Sequence, residues 1–403
     1  MIKAHNKNRI KAGQTVFMMD LLATVPYYTA YLSSALLAEG VPVMVGSIDY
    51  YLDRGCFSTR QIDVDPGLLN LVGKLSLPRW LRRPLKLLET IVNMAALAVR
   101  FTIGPPAIIH VQYLPMLLRK LPIDAWFVSF CALLGSKSVL TVHDLLAPGA
   151  PEKHCRIFRA LYSRMDAIIC HSDHVKLRLA REFGVALEKI WTIPHGPFFY
   201  DLPQESSDQI RRVLQASPGQ LIVLWQGIIF PYKGLDILLD AWRAVESASD
   251  NVRLVVVGTG APHLLDQIRA QVKRLGIERV TLLFRFASTA ELVSIYQAAD
   301  IVVYPYREIT TSGALATGLA LGKAIVASDL PVFRELLTSG IDALLVEPND
   351  ASSLAAGIMK LLQDQELREA IVTAVGTRDF GPRSWRVIAS QTQQIYDAVL
   401  TFD

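Results

Sequence analysis

The sequence predicts an α/β protein of two domains, each a parallel sheet wrapped by helices, and three observations carry that prediction. Short apolar runs alternate with helix-period stretches along the whole chain, the pattern of strand–helix units around a parallel sheet. At 403 residues the chain exceeds what one hydrophobic core ordinarily supports. A Pro-broken turn, Pro194-His195-Gly196-Pro197, followed by a polar stretch over 201–208, divides it near the middle, where a domain linker belongs.

In chain order, the first half offers strands at 16–19, 42–46, 108–111, 139–142, 167–170 and 189–193. The second half offers 221–225, 253–257, 280–284, 301–304, 324–327 and 343–346. These are continuous apolar runs rather than alternating ones, as strands buried on both faces require. A last helical pattern, 385–400, follows Gly381-Pro382. The expected division is 1–198, 199–380 and a closing helical segment, 381–403.

Composition narrows the function. Hydrophobic residues make up 51% of the chain, enough for two buried sheets, yet no run reaches the ~20 apolar residues that span a bilayer. Cys56, Cys131, Cys155 and Cys170 show neither close pairing nor metal-ligand spacing, so a reduced, cytoplasmic setting is expected. The basic N-terminus lacks the apolar core of a secretion signal. Charge is uneven: residues 1–200 hold 23 Lys and Arg against 14 Asp and Glu, a net of +9, and the remainder is net −5. The basic excess gathers at Lys74, Arg79, Arg82, Arg83 and Lys86 around Trp80, ahead of an apolar stretch over 91–99. Such a segment suits an anionic membrane surface. An ordinary solvated basic helix is the equal alternative, and nucleic acid is the weaker one because no binding module accompanies the charge.

Two segments carry the chemistry. The run 221–225 ends in Gln226-Gly227 and passes through Pro231-Tyr232-Lys233-Gly234 into a helix pattern. The run 301–304 breaks at Pro305 and passes through Arg307-Glu308 and Thr311-Ser312-Gly313 into another. Helix starts beyond parallel strands present unpaired N–H groups and the positive dipole end, so phosphate binds there. Lys233 adds a mobile cation, and Ser312-Gly313 lets amides approach an oxyanion. Taken singly, Lys233 and Glu308 are as well read as loop charges. Their joint occurrence favours a phosphate site. Gly258-Thr259-Gly260 lacks the third glycine of a dinucleotide fingerprint, since His263 stands there, so a nicotinamide cofactor is disfavoured.

These segments resemble the GT-B glycosyltransferases, specifically the large retaining family 4 that uses nucleotide-sugar donors. The resemblance covers nearly the whole chain. His143-Asp144 after the fourth run resembles the family's strand-end histidine, Asp166 to Ser172 its next strand and turn, and Trp191 to Gly196 the exit from the first domain. Pro231 to Asp236 is similar to the Lys-Gly signature, and Val255 to Gly260, Tyr296 to Asp300 and Gly322 to Asp329 follow in the family's order. The resemblance implies two Rossmann-like domains facing an interdomain cleft, with the acceptor bound by the first and the nucleotide-sugar donor by the second. It also implies a C-terminal helix crossing back to the first domain. Three departures stand out. Ile228 occupies a position that is commonly arginine. Aligned on Gly322, the family's two donor-loop glutamates fall on Ile309, one residue beyond Glu308, and on Thr317. The Gly-Gly after the first strand is missing from Val16 to Tyr28.

The implied reaction moves a sugar to an acceptor hydroxyl with retention, needing neither metal nor other cofactor. Lys233, Glu308 and His143 are the expected catalytic residues. Gly227, Lys233, Arg285, Arg307, Thr311, Ser312, Gly313 and Thr317 are the expected donor contacts. The partners implied are a nucleotide sugar and a carbohydrate or lipid-linked acceptor, as in bacterial polysaccharide or glycolipid assembly, with action in the cytoplasm or at the inner face of the membrane. His143 is also readable as a strand-capping residue, His171 and His174 as turn residues, and His195 as part of a hinge. Rival functions are a catalytically degenerate partner protein, a sugar-nucleotide epimerase, which would need a second carboxylate, and a phosphorylase, which would need a lysine for pyridoxal phosphate.

Overall fold

In the computed structural model, twelve parallel strands form among the described residues, which are 15–75, 78–114, 116, 123–146, 152–202, 207–376 and 380–401. Each strand coincides with one of the apolar runs. The chain divides into two compact units, unit 1 being Met1–Gly196 with Pro382–Asp403 and unit 2 being Pro197–Gly381.

Unit 1 is built on β1 (Val16–Asp20), β2 (Val43–Ser47), β3 (Ile108–Val111), β4 (Lys137–Thr141), β5 (Ala167–Cys170) and β6 (Ile190–Thr192), in the order β2-β1-β3-β4-β5-β6. Its helices are α1 (Pro26–Ala38), α2 (Leu71–Lys74), α3 (Arg79–Ile103), α4 (Ile123–Leu133), α5 (Glu152–Tyr162) and α6 (Asp173–Phe183). All five residues of β1 are buried, including Asp20. The Asp20 carboxylate accepts the N–H groups of Thr24 at 2.8 Å and Val25 at 3.0 Å, closing the turn into α1. Burial nevertheless pushes its pKa up, to about 6.

Unit 2 carries α7 (Ser207–Val213), β7 (Leu221–Gln226), α8 (Leu235–Ala248), β8 (Val252–Val257), α9 (Pro262–Leu275), β9 (Val280–Leu283) and α10 (Thr289–Ala298). There follow β10 (Ile301–Tyr304), α11 (Gly313–Ala320), β11 (Ala324–Ser328), α12 (Pro331–Arg334), β12 (Leu344–Val346), α13 (Ala351–Gln363) and α14 (Gln365–Gly376). Its sheet runs β12-β11-β10-β7-β8-β9 around a core that includes the fully buried Trp225 and Trp242. Strand order therefore reverses between β7 and β10, and in unit 1 between β1 and β3. Ligands of open α/β sheets settle at the carboxyl ends beside such reversals.

The final helix, α15 (Trp385–Thr401), belongs to unit 1. Trp385 stacks on Tyr31 with centroids 5.3 Å apart and meets Tyr28 edge-on at 5.2 Å. A Cβ on Gly196 would lie 2.4 Å from its ring, so only glycine leaves room. Further along, the Tyr396 hydroxyl lies 2.6 Å from Nδ1 of His110, whose Nε2 is 2.7 Å from the Thr141 hydroxyl. Next to these, Tyr28 gathers three more rings, the buried His143 and His171 and the half-buried His195, at centroid distances of 4.6, 5.2 and 5.2 Å. Burial holds all four histidines below their ordinary 6.5, His171 at about 4 and His110 and His195 at about 3.

Two outcomes follow from this packing. Trp385→Ala should lower the stability of unit 1 by about 3–5 kcal/mol, the cost of emptying a buried indole site, read as a shift of its denaturant midpoint. The unfolded chain takes up histidine protons near pH 6.5 while the folded one resists them to about pH 4 and below, so stability is complete above 6.5 and falls with acid. Each tenfold difference in proton affinity is worth about 1.4 kcal/mol. Asp20 acts oppositely, since its stabilising proton is lost as pH rises through about 6. Four histidines outweigh one carboxyl, so denaturant midpoints should fall between pH 7 and pH 4.5; a flat or rising series would contradict this account.

Candidate functional site

The clearest site in unit 2 lies where β7 and β10 end. After Gln226, the chain turns at Gly227 and makes a 3-10 turn, Pro231–Lys233, before α8 begins. Gly234 closes that turn with φ +62°, and a Cβ there would fall 1.8 Å from the Pro305 carbonyl oxygen. Glycine is thus required both for the left-handed backbone and for contact with the loop after β10. Gly258 serves a similar end, since its Cβ would meet the Gly227 oxygen at 1.8 Å. This glycine joins two strand ends.

Lys233 is half-buried. Its Nζ reaches back over Gly227, where an added Cβ would be 2.7 Å away, and stands 5.6 Å from the centroid of the Tyr306 ring. The ammonium is therefore carried to the reversal in strand order. On the other side, Ser312 caps α11 by accepting the Leu315 N–H at 3.1 Å, which satisfies one of the amides that begin the helix. Glu308 is exposed in the loop between them, and Thr311 is half-buried.

Three of the residues expected as donor contacts have partners within unit 2. The Arg307 guanidinium forms a two-pronged pair with Asp236, at 2.9 and 2.6 Å, also reaches the Pro231 carbonyl, and its backbone N–H donates to Tyr232 O at 2.7 Å. Desolvation pushes the Asp236 carboxyl up, but the Arg307 hydrogen bonds and charge outweigh it and hold the group below the usual range. Arg285 makes a similar pair with Glu291. Thr317 is 2% exposed, and its hydroxyl donates to Gly313 O at 2.8 Å. A change from carboxylate to threonine at this position leaves an inward-turned, satisfied side chain. Ile228, at the position that is commonly arginine, is 52% exposed.

In unit 1, His143 stands just beyond β4, with Nε2 3.0 Å from Gln112 Oε1 and Nδ1 3.4 Å from Nε2 of His171. The Ile193 carbonyl, 3.0 Å from Nδ1 of His171, can only accept, so that nitrogen carries the proton. Both ring nitrogens of His143 are thus engaged within unit 1, and its charged form is disfavoured by burial and by the neighbouring histidines. Beside it opens a cavity of about 100 Å³, lined by Leu114, Leu140, Val142, Phe158 and Tyr162 with Asp144. The histidine cluster was not anticipated as a cluster. Its signal in the sequence is positional: His143, His171 and His195 each fall one to three residues after a strand end. His110, inside β3, carries no such signal.

The basic segment around Trp80 divides. Lys74 is exposed on α2, and Trp80 is 76% exposed at the start of α3. Arg82 instead lies over the Tyr51 ring at 3.8 Å, and Lys86 is half-buried, its pKa lowered by desolvation against the opposing pull of Asp20. These two cations turn toward unit 1. The side chains of Arg79 and Arg83 lie outside the described set. Among the described residues, no group of three or more His, Cys, Asp or Glu side chains could hold a metal ion, and no helix is long and apolar enough to cross a membrane.

Comparison with known proteins bears on both units. Residues 25–196 match the family model described as Glycosyltransferase Family 4, and residues 206–376 match that described as Glycosyl transferases group 1. The phosphatidyl-myo-inositol mannosyltransferase of Mycobacterium leprae is 33% identical over 172 residues, 42% of this chain and 44% of the relative. The D-inositol 3-phosphate glycosyltransferase of Segniliparus rotundus is 27% identical over 279 residues, 66% of this chain and 62% of the relative. The chain spans about half the length of these curated relatives. Among solved structures, a glycosyltransferase from Rickettsia africae superposes with a TM-score of 0.73 at 17% identity, covering 98% of this chain and 100% of that one. Anabaena Alr3699/HepE, in complex with UDP and glucose, gives 0.73 at 20% identity, covering 94% and 98%. At such identities the structural likeness speaks for the fold alone. With one family model on each unit and two parallel six-stranded sheets beneath them, the chain belongs to the GT-B glycosyltransferases of family 4.

Proposed function

We propose that the protein is a retaining glycosyltransferase that moves a sugar from a nucleoside diphosphate sugar to an acceptor hydroxyl, in polysaccharide or glycolipid assembly. One observation carries this reading: the Lys233 ammonium and the capped start of α11 flank the reversal between β7 and β10, a cation and a helix N-terminus suited to one diphosphate. The bond from the anomeric carbon to the phosphate oxygen breaks as a new bond to the acceptor oxygen forms on the same face. The acceptor proton passes to the departing diphosphate. Charge grows on the leaving oxygens, where Lys233 and the helix amides stabilise it without a metal ion. Glu308, exposed beside them, grips hydroxyls of the donor sugar. His143, held neutral, orients rather than transfers protons.

The names of the relatives support the substrate classes. One acts, by its name, on a phosphatidyl-myo-inositol, and the Anabaena structure holds UDP and glucose. A lipid-linked acceptor at the inner face of the membrane and a nucleotide-sugar donor are the corresponding reading here. The exposed Ile228 and inward-turned Thr317 favour one rival, a degenerate partner protein that binds donor without turning it over.

Incubation with UDP-, GDP- and ADP-sugars separates the two by release of nucleoside diphosphate and formation of glycosylated acceptor; donor binding with neither product would establish the rival. Lys233→Ala should cost ~10²-fold or more in kcat with the thermal midpoint unchanged, since a diphosphate clamp is lost and little packing goes with it. Glu308→Gln should also lower kcat strongly. Thr317→Ala should leave the KM for donor within a few-fold, because its hydroxyl already serves Gly313; a large rise would place Thr317 against the donor.

A further inference from the structure

Helix α3 is inside out. Its hydrogen-bonding side chains face the protein: Glu89 accepts from the backbone of Leu71 and Val72, and Asn93 brackets Leu69 with bonds of 2.7 and 2.9 Å. Arg100 pairs with Asp65, which is almost wholly buried. On the opposite side, the described residues turned to solvent are apolar apart from Thr102 near the C-terminal end. Trp80 is 76% exposed, Leu88 57%, Val92 41%, Val99 68% and Ile103 88%, with Pro84, Ile91 and Ala95 exposed between them. The spacing of 80, 84, 88, 91/92, 95, 99 and 103 keeps them in one row, ~35 Å long at 1.5 Å per residue. Helix α4, which packs on α3 through a Phe101–Phe127 ring contact at 6.2 Å, adds Trp126 at 66% and Leu133 at 86%.

A soluble helix normally shows water its polar side and keeps contiguous apolar patches small. Here the polar side is consumed in holding the 65–72 segment, so the outer row is left exposed among the described residues of unit 1. Charge decides the occupant. From Pro66 to Leu88 the sequence contains Lys74, Arg79, Arg82, Arg83 and Lys86 and no Asp or Glu, and Lys74 on α2 is exposed. A Trp-headed apolar row on a helix whose first turns carry only cationic charges in sequence fits the plane of an anionic bilayer surface.

We infer that the outer row of α3, extended by Trp126 and Leu133 of α4, is a lipid-docking surface by which unit 1 lies on an anionic membrane. This deepens the reading of a lipid-linked acceptor, and it differs from a purely electrostatic attachment in resting on apolar insertion. Arg82 and Lys86, turned toward Tyr51 and Asp20, contribute little. The row itself holds the protein.

The test is co-sedimentation of the full chain, without substrates, with vesicles of phosphatidylcholine containing phosphatidylglycerol. Wild type should partition onto them, and Leu88→Glu/Val92→Glu/Val99→Glu should bind at least tenfold less while keeping its circular dichroism and thermal midpoint. Lys74→Glu should weaken binding only modestly, and added salt should not abolish it. Sugar transfer between water-soluble substrates should be the same in wild type and triple variant, so vesicle binding and turnover fail separately. Equal partitioning of wild type and triple variant would overturn the inference. So would a wild-type dimer in sedimentation that the triple variant dissolves, because the row would then belong to a second copy.

Discussion

Contact between the Lys233 turn and the loop after β10 is the constraint on which the unit 2 site depends. The two segments are far apart in sequence and adjacent only because β7 and β10 pair in the sheet. Pairing alone fixes the strands, however, and leaves their loops free. Gly234 removes the atoms that would hold the loops apart at Pro305, and the Arg307–Asp236 pair, with the Arg307 amide on Tyr232, draws them together. A planar guanidinium bonded twice to a carboxylate fixes orientation as well as distance. The Lys233 turn and the loop that leads to α11 are thereby held against one another.

Much of the fold was legible because buried parallel strands announce themselves as unbroken apolar runs. All twelve were found, with ends displaced by up to two residues, as for β4, which begins at Lys137, and β6, which stops at Thr192. Those ends carry polar residues, and strand pairing rather than side-chain character sets where they stop. In the candidate site, local backbone features were more legible than the partners of its charged and hydroxyl side chains. Lys233, Ser312 and Gly313 could be read from local motifs because turn geometry and helix capping are local. Arg307, Arg285 and Thr317 could not be judged, since whether a charge or hydroxyl is available depends on Asp236, Glu291 and the Gly313 carbonyl, which no spacing rule specifies.

Unit 1 teaches a related lesson about amphipathic segments. The sequence around Trp80 showed that basic and apolar residues interleave, and the natural assumption was that the basic ones face out. Periodicity gives two faces but does not say which is inward. Here Glu89, Asn93 and Arg100 find specific partners in the 65–72 segment, and those partners decide the orientation of the helix.

Unit 2 is a single uninterrupted stretch of chain, whereas unit 1 receives α15 only after unit 2 has been passed. During synthesis, unit 2 can close as soon as it emerges from the ribosome. Unit 1, though begun first, must wait with Tyr28, Tyr31 and His110 uncovered until Trp385 and Tyr396 arrive. The unit whose strands precede unit 2 in the chain is therefore completed after it, and in the interval its open aromatic surface is what a chaperone or a protease would meet.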